Sequence, residues 1–258
     1  MPGFIHLIQL DSQWEDREAS HRRAADLIGK AVPQAGDLLV LPEMFSTGFS
    51  MDHSATMQSE KTEDETFLAA VAREHCVFVL GGVVTGEGEG KPFNQSVVFN
   101  PEGQLLSRYS KERLFTYTDE ASHYRAGSSG ASFEWAGMKV GMRVCYDLRF
   151  PELARDSVRD GAEMLTFIAA WPVKRVNHWI TLLQARAIEN QAYVVGVNRS
   201  GSDPLYTFGG RSIVVDPHGV IIADAGGDEG SVRAKVDAAV VRAWRTEFPA
   251  VREFLEPN

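Results

Sequence analysis

Cysteine is scarce. Cys76 and Cys145 are the two in 258 residues, too few to build the disulfide framework of a small secreted scaffold. Positive charge is also short: 26 Lys and Arg face 35 Asp and Glu, for a net charge of -9 and a pI near 5.3. Such a chain has no basic field for nucleic-acid phosphates or anionic lipid, so neither partner is expected. No apolar run approaches the roughly 18 residues of a membrane-spanning helix. The start MPGFIHLIQLD lacks the basic segment and long apolar stretch of a signal peptide, which points to a reduced, cytoplasmic protein. The seven histidines are scattered and form no HxxxH pair, and there is no CxxC, so neither a metal nor a cofactor is expected. A Gly-x-Ser-x-Gly elbow is missing, and Gly86-Glu87-Gly88-Glu89-Gly90-Lys91-Pro92 has neither the spacing nor the Ser/Thr of a phosphate loop. With no repeat and no linker-like tract, residues 1–258 read as a single domain.

What is present is an ordinary globular composition, 44% hydrophobic and 24% charged, enough to build one sizeable core. Apolar strand-like runs alternate with helical stretches: a strand at 4–10, a helix at 14–32 capped from Asp11-Ser12, a strand at 37–41 and a helix at 63–75. The apolar strand 76–84 holds Cys76 as a buried structural residue and ends in an acidic turn at 85–90. Asn100-Pro101-Glu102-Gly103, Ala136-Gly137 and Asp216-Pro217-His218-Gly219 each turn a hairpin. Between the first two of these, 115–132 reads as irregular. Helices at 151–161 and 177–191, further strands at 164–170, 193–197 and 232–236, and a short terminal helix from Ala238 complete the chain. The pattern is α/β, with helices outside mixed sheets.

Chemistry is sought at strand ends, where a rigid scaffold meets accessible loops. Glu43 follows the buried run Leu38-Leu39-Val40-Leu41-Pro42, which predicts a partly desolvated carboxylate suited to general-base work. Cys145 ends the strand 139–144 and precedes a Pro-started helix. A strand-to-helix turn there exposes the sulfur and turns backbone N–H groups toward a developing oxyanion. Lys111 lies just past the first hairpin.

Leu41-Pro42-Glu43-Met44-Phe45, Ser110-Lys111-Glu112-Arg113-Leu114-Phe115 and Val144-Cys145-Tyr146-Asp147-Leu148-Arg149-Phe150-Pro151-Glu152 resemble, in order and spacing, the three motifs of the nitrilase superfamily of carbon-nitrogen hydrolases. The resemblance implies a four-layer α-β-β-α sandwich in which Glu43 is the general base, Cys145 the nucleophile and Lys111 the oxyanion partner, helped by the Tyr146 N–H. It also implies that Glu120, in Asp119-Glu120-Ala121-Ser122-His123-Tyr124, orients the lysine and the substrate amide. Cys145-Tyr146-Asp147 differs from the Cys-Trp-Glu of true nitrilases and looks like the Nit-type amidases. Ala169-Ala170-Trp171-Pro172, His178-Trp179 and Gly196-Val197-Asn198-Arg199 are similar to bacterial ω-amidases. The implied reaction is hydrolysis of the terminal amide of 2-oxoglutaramate or 2-oxosuccinamate to acid and ammonia through a thioester. Alternatives are a deaminated-glutathione amidase, a carbamoyl-amide hydrolase, or an inactive interaction module. Phe115 and Trp171 are expected to shape the pocket wall. A substrate carboxylate needs a donor, for which Arg149, Arg175 and Arg199 are candidates, Arg149 reading better as half of a structural ion pair. The family also implies a homodimer through the helices next to the nucleophile.

Overall fold

The computed structural model describes residues 2–59, 62–86 and 90–255, so the middle of the acidic turn, 87–89, lies outside the described residues. Strands β1 (Gly3–Gln9), β2 (Leu38–Val40), β3 (Phe78–Thr85), β4 (Phe93–Phe99), β5 (Leu105–Ser110) and β12 (Gly230–Val236) form one six-stranded sheet, ordered β12-β1-β2-β3-β4-β5. Strands β6 (Ala131–Trp135), β7 (Met138–Val144), β8 (Met164–Ala169), β9 (Tyr193–Asn198), β10 (Ile213–Val215) and β11 (Ile221–Asp224) form the other, ordered β11-β10-β9-β8-β7-β6. Both sheets are mixed, with three parallel central strands, β1-β2-β3 and β7-β8-β9, flanked by antiparallel ones.

The layering follows from the period of two along each strand. In β1 and β2, Ile5, Leu7, Leu38 and Val40 point into the core shared with the second sheet, where they join Met142, Val144 and Ile168. Their neighbours Ile8, Leu39 and Leu41 point the other way, against α1 (Arg17–Ala31) and α3 (Glu63–His75) through Ala24, Ile28, Leu68 and Ala72. On the far side of the second sheet, α5 (Pro151–Arg159) packs near β7 and α6 (Val176–Asn190) on β9. Helix, sheet, sheet and helix thus make four layers, the expected sandwich.

Several local expectations change. Helix α1 starts at Arg17 and is capped by Asp16, whose side chain accepts the Ala19 N–H. Asp11 and Ser12 instead meet the buried Arg199. The strand holding Phe78 begins two residues after Cys76, which sits in left-handed conformation (φ 55°) at the end of α3 and is exposed, not a core residue. Two short helices, α2 (His53–Thr56) and α4 (Glu120–His123), were not legible: four residues carry no period. The second lies, with a 3₁₀ turn at Thr116–Thr118, inside the stretch expected to be irregular. Two helices, α7 (Ala238–Glu247) and α8 (Ala250–Leu255), replace the single terminal one.

Candidate active site

Glu43, Lys111 and Cys145 all sit just past strand ends, after β2, β5 and β7. The turn carrying Glu43 is tied to β3: Leu41 N–H donates to Leu80 O (2.8 Å), Gly82 N–H to Pro42 O (3.1 Å) and Phe45 N–H to Gly82 O (3.2 Å). A Cβ at position 82 would lie 2.5 Å from Met44 N and 2.6 Å from Glu43 Cα, so this approach requires glycine. Lys111 is pinned through its own N–H, which donates to Asn94 O (2.9 Å). Cys145 has φ 46°, a left-handed conformation unfavourable for a residue with a Cβ and of a kind that clusters at reactive centres.

The side chains then converge. Lys111 Nζ lies 2.9 Å from Glu43 Oε1 and 2.9 Å from each oxygen of Glu120, with all three side chains fully buried. Asn94 Nδ2 donates to Glu43 Oε1 (2.7 Å) and to Glu120 Oε1 (3.0 Å). Ala170 N–H donates to the other Glu43 oxygen (2.8 Å), and Phe115 N–H to Glu120 Oε2 (2.5 Å). Burial works to lower the Lys111 pKa, but the Glu120 and Glu43 carboxylates outweigh it and hold the ammonium protonated. Burial pushes the Cys145 thiol well up, the Glu43 charge adds to this and Lys111 opposes it. The resting sulfur is therefore a thiol beside a carboxylate. It is also 8% exposed, so the expected open sulfur is corrected: the elbow faces the floor of a cleft and the walls cover it.

Tyr146, Phe115 and Trp171 line that cleft with Cys145, as do Arg149 and Arg175. Arg149 stacks over Trp171 (4.7 Å to the ring centroid) and has no carboxylate partner among the described residues, which corrects the expected ion pair. Burial and the like charge of Arg175 lower its pKa. Arg199 is not at the cleft. It is fully buried, with Asp11, Asp203 and Ser12 O as partners.

Two contributors carried no role legible in the sequence, although Asp147 stands within the nucleophile motif. Asn94 is a lone polar residue on a buried strand, and only the fold puts its amide between two acids. Asp147 is buried beneath the nucleophile turn and accepts from Val144 N–H (3.0 Å), Arg113 N–H (2.8 Å) and the Tyr109 hydroxyl (2.8 Å). Burial pushes its carboxyl up to about 6 despite these three donors.

A buried acid–ammonium–acid group beside a thiol suits acyl transfer from an amide. The comparisons agree. The family model for carbon-nitrogen hydrolases matches residues 5–246. The chain is 35% identical to the 2-oxoglutaramate amidase of Bacillus subtilis, over 99% of this chain and 100% of that one. It is 36% identical to an omega-amidase of Escherichia coli (strain K12), over 97% of this chain and 96% of the relative. Among solved structures it resembles Saccharomyces cerevisiae Nit3, a member of branch 10 of the nitrilase superfamily, with TM-score 0.87, 29% identity and coverage of 96% and 94%. A buried thiol, the buried acids beside it and a match along nearly the whole chain lead to one conclusion: this protein belongs to the carbon-nitrogen hydrolase family, in the nitrilase superfamily, and hydrolyses carbon-nitrogen bonds other than peptide bonds.

Proposed function

We propose that the chain is an ω-amidase, removing the terminal amide of a small 2-oxo dicarboxylic acid monoamide such as 2-oxoglutaramate or 2-oxosuccinamate. The observation that carries this reading is a cleft lined by Cys145, beside the buried Glu43–Lys111–Glu120 group, and by two guanidiniums, Arg149 and Arg175. The names of the relatives support the same substrate class. A monoamide acid puts its carboxamide at the sulfur and its carboxylate at the cations. Glutamine would bring an ammonium beside its carboxylate to the same cations, which weakens the attraction.

In this reading Glu43 takes the thiol proton as Cys145 Sγ attacks the amide carbon. Lys111 Nζ and the Tyr146 N–H hold the oxyanion, while Glu120 and Asn94 keep the ammonium and the base in place. The C–N bond breaks, Glu43 returns its proton to the departing nitrogen, and ammonia leaves a thioester. Water then attacks, Glu43 takes its proton, and the sulfur leaves with a proton as the free acid forms. Phe115 and Trp171 shape the cleft and exclude water around the reacting carbon. The catalytic unit is taken as residues 1–258 acting as one domain, since both sheets contribute to one core and one site, and as a cytoplasmic homodimer through α5 and α6.

Ammonia release from 2-oxoglutaramate, beside glutamine, a simple nitrile, deaminated glutathione and an N-carbamoyl amino acid, tests the reading. A strong preference for 2-oxoglutaramate, absent in Cys145→Ala, is expected. Preference for another member of the panel would overturn the substrate while leaving the family in place.

A further inference from the structure

Elsewhere in this protein, buried guanidiniums are paired. Arg143 meets Glu112, Leu153 O and Ser157, Arg186 meets Glu189 and Leu148 O, and Arg199 meets Asp11, Asp203 and Ser12 O. The cleft wall breaks that pattern. Arg175, half-buried, has no carboxylate partner among the described residues; its Nη2 is buried without a hydrogen-bond partner, as are single Nε atoms of Arg125 and Arg143, but of these Arg143 has Glu112 for its charge. Leaving a cationic donor unsatisfied away from water is costly unless something else meets it.

Its position says what. Arg175 lines the inner cleft that holds Cys145 and also both outer cavities at the mouth, so it stands where the two meet. Its guanidinium lies over the rings of Phe115 (5.5 Å to the centroid) and Tyr117 (6.0 Å). Its carbonyl accepts the Trp171 indole N–H (2.8 Å), and Trp171 in turn carries Arg149 on its ring. Two like charges on one aromatic frame repel until an anion lies between them.

We propose that Arg175 is the specificity-determining residue of this enzyme, receiving the carboxylate at the far end of the substrate and selecting monoamide acids over neutral amides; this rests on the ω-amidase reading above. Arg175 touches no reacting atom, so its loss acts on binding of the acid. A planar guanidinium that pairs a carboxylate is worth a factor of about 10 to 100 in affinity.

The test compares wild type, Arg175→Met and Arg175→Lys on 2-oxoglutaramate and on pentanamide, the neutral amide of the same chain length. In Arg175→Met the KM for the acid should rise about 10- to 100-fold, by more than kcat falls, so that the preference for the acid over pentanamide drops by about that factor, and an unchanged circular-dichroism spectrum shows that the variant is folded. Arg175→Lys should recover part of the loss. A second measurement needs no turnover: in a Cys145→Ala background, calorimetric affinity for 2-oxoglutarate should fall by a similar factor when Arg175 becomes Met. If wild type prefers the acid and Arg175→Met keeps that preference and affinity, the assignment of Arg175 is overturned while the ω-amidase reading stands. If wild type itself does not prefer the acid, both fall.

Discussion

At Cys145 the local physical chemistry opposes a resting thiolate. Burial and the adjacent Glu43 charge both raise the thiol, so in the proposed mechanism the proton leaves as the sulfur attacks, with Glu43 placed to take it. Cys145→Ala is therefore expected to lower ammonia release by more than about a thousandfold with an unchanged circular-dichroism spectrum. Lys111 is a different case, because its ammonium is the shared counter-charge for two buried carboxylates. Lys111→Met should lose activity and also about 3–5 kcal/mol of stability in urea unfolding, since it leaves both acids unpaired. Adding Glu120→Gln to that variant should return part of the stability and none of the activity. Glu43, Lys111, Glu120 and Cys145 were legible as single residues through their motifs. Asn94 was not, since an asparagine within a strand carries no mark of the two acids it will bridge.

The elements that present these side chains are fastened to one another, and the fastenings have consequences of their own. Asp147 ties the nucleophile turn after β7 to the end of β5 through the Val144 and Arg113 N–H groups and the Tyr109 hydroxyl. Burial raises its carboxyl to about 6 from an ordinary 3.8, so between about pH 4 and 6 the native state binds more protons than the unfolded chain. Its contribution to stability thus falls as pH rises through that window. Its use as a three-fold acceptor needs the ionised form. Activity should accordingly decline as pH drops through about 6, and Asp147→Asn, which turns one acceptor into a donor facing N–H groups, should be weakly active with that limb gone from the pH profile of kcat/KM. On the other side of the site, Gly82→Ala would drive a methyl into the Pro42–Met44 backbone. It should cost about 1–3 kcal/mol of stability and lower kcat by displacing Glu43, read by thermal unfolding and steady-state kinetics.

Across the whole molecule the chain returns to its start: β12 pairs antiparallel with β1 from Gly3↔Val236 to Gln9↔Gly230, covering an edge beside the shared core. Deleting residues 230–258 should bare that edge and produce aggregates in sedimentation velocity. The alternation of strands and helices, the hairpin turns and the strand-end positions of Glu43, Lys111 and Cys145 were determined by the sequence alone, because periodicity, turn chemistry and motif spacing are local properties of the chain. What only the tertiary structure decided is how far those residues are sealed from water and what meets them. Glu43 and Cys145 come from different sheets, so their burial and mutual charge arise from layer packing. Of three equivalent-looking arginines, packing joined Arg199 to Asp11 and Asp203 and left Arg149 and Arg175 facing the cleft. Contacts between residues far apart in the chain depend on how the two sheets pack together, and no window of sequence contains that information.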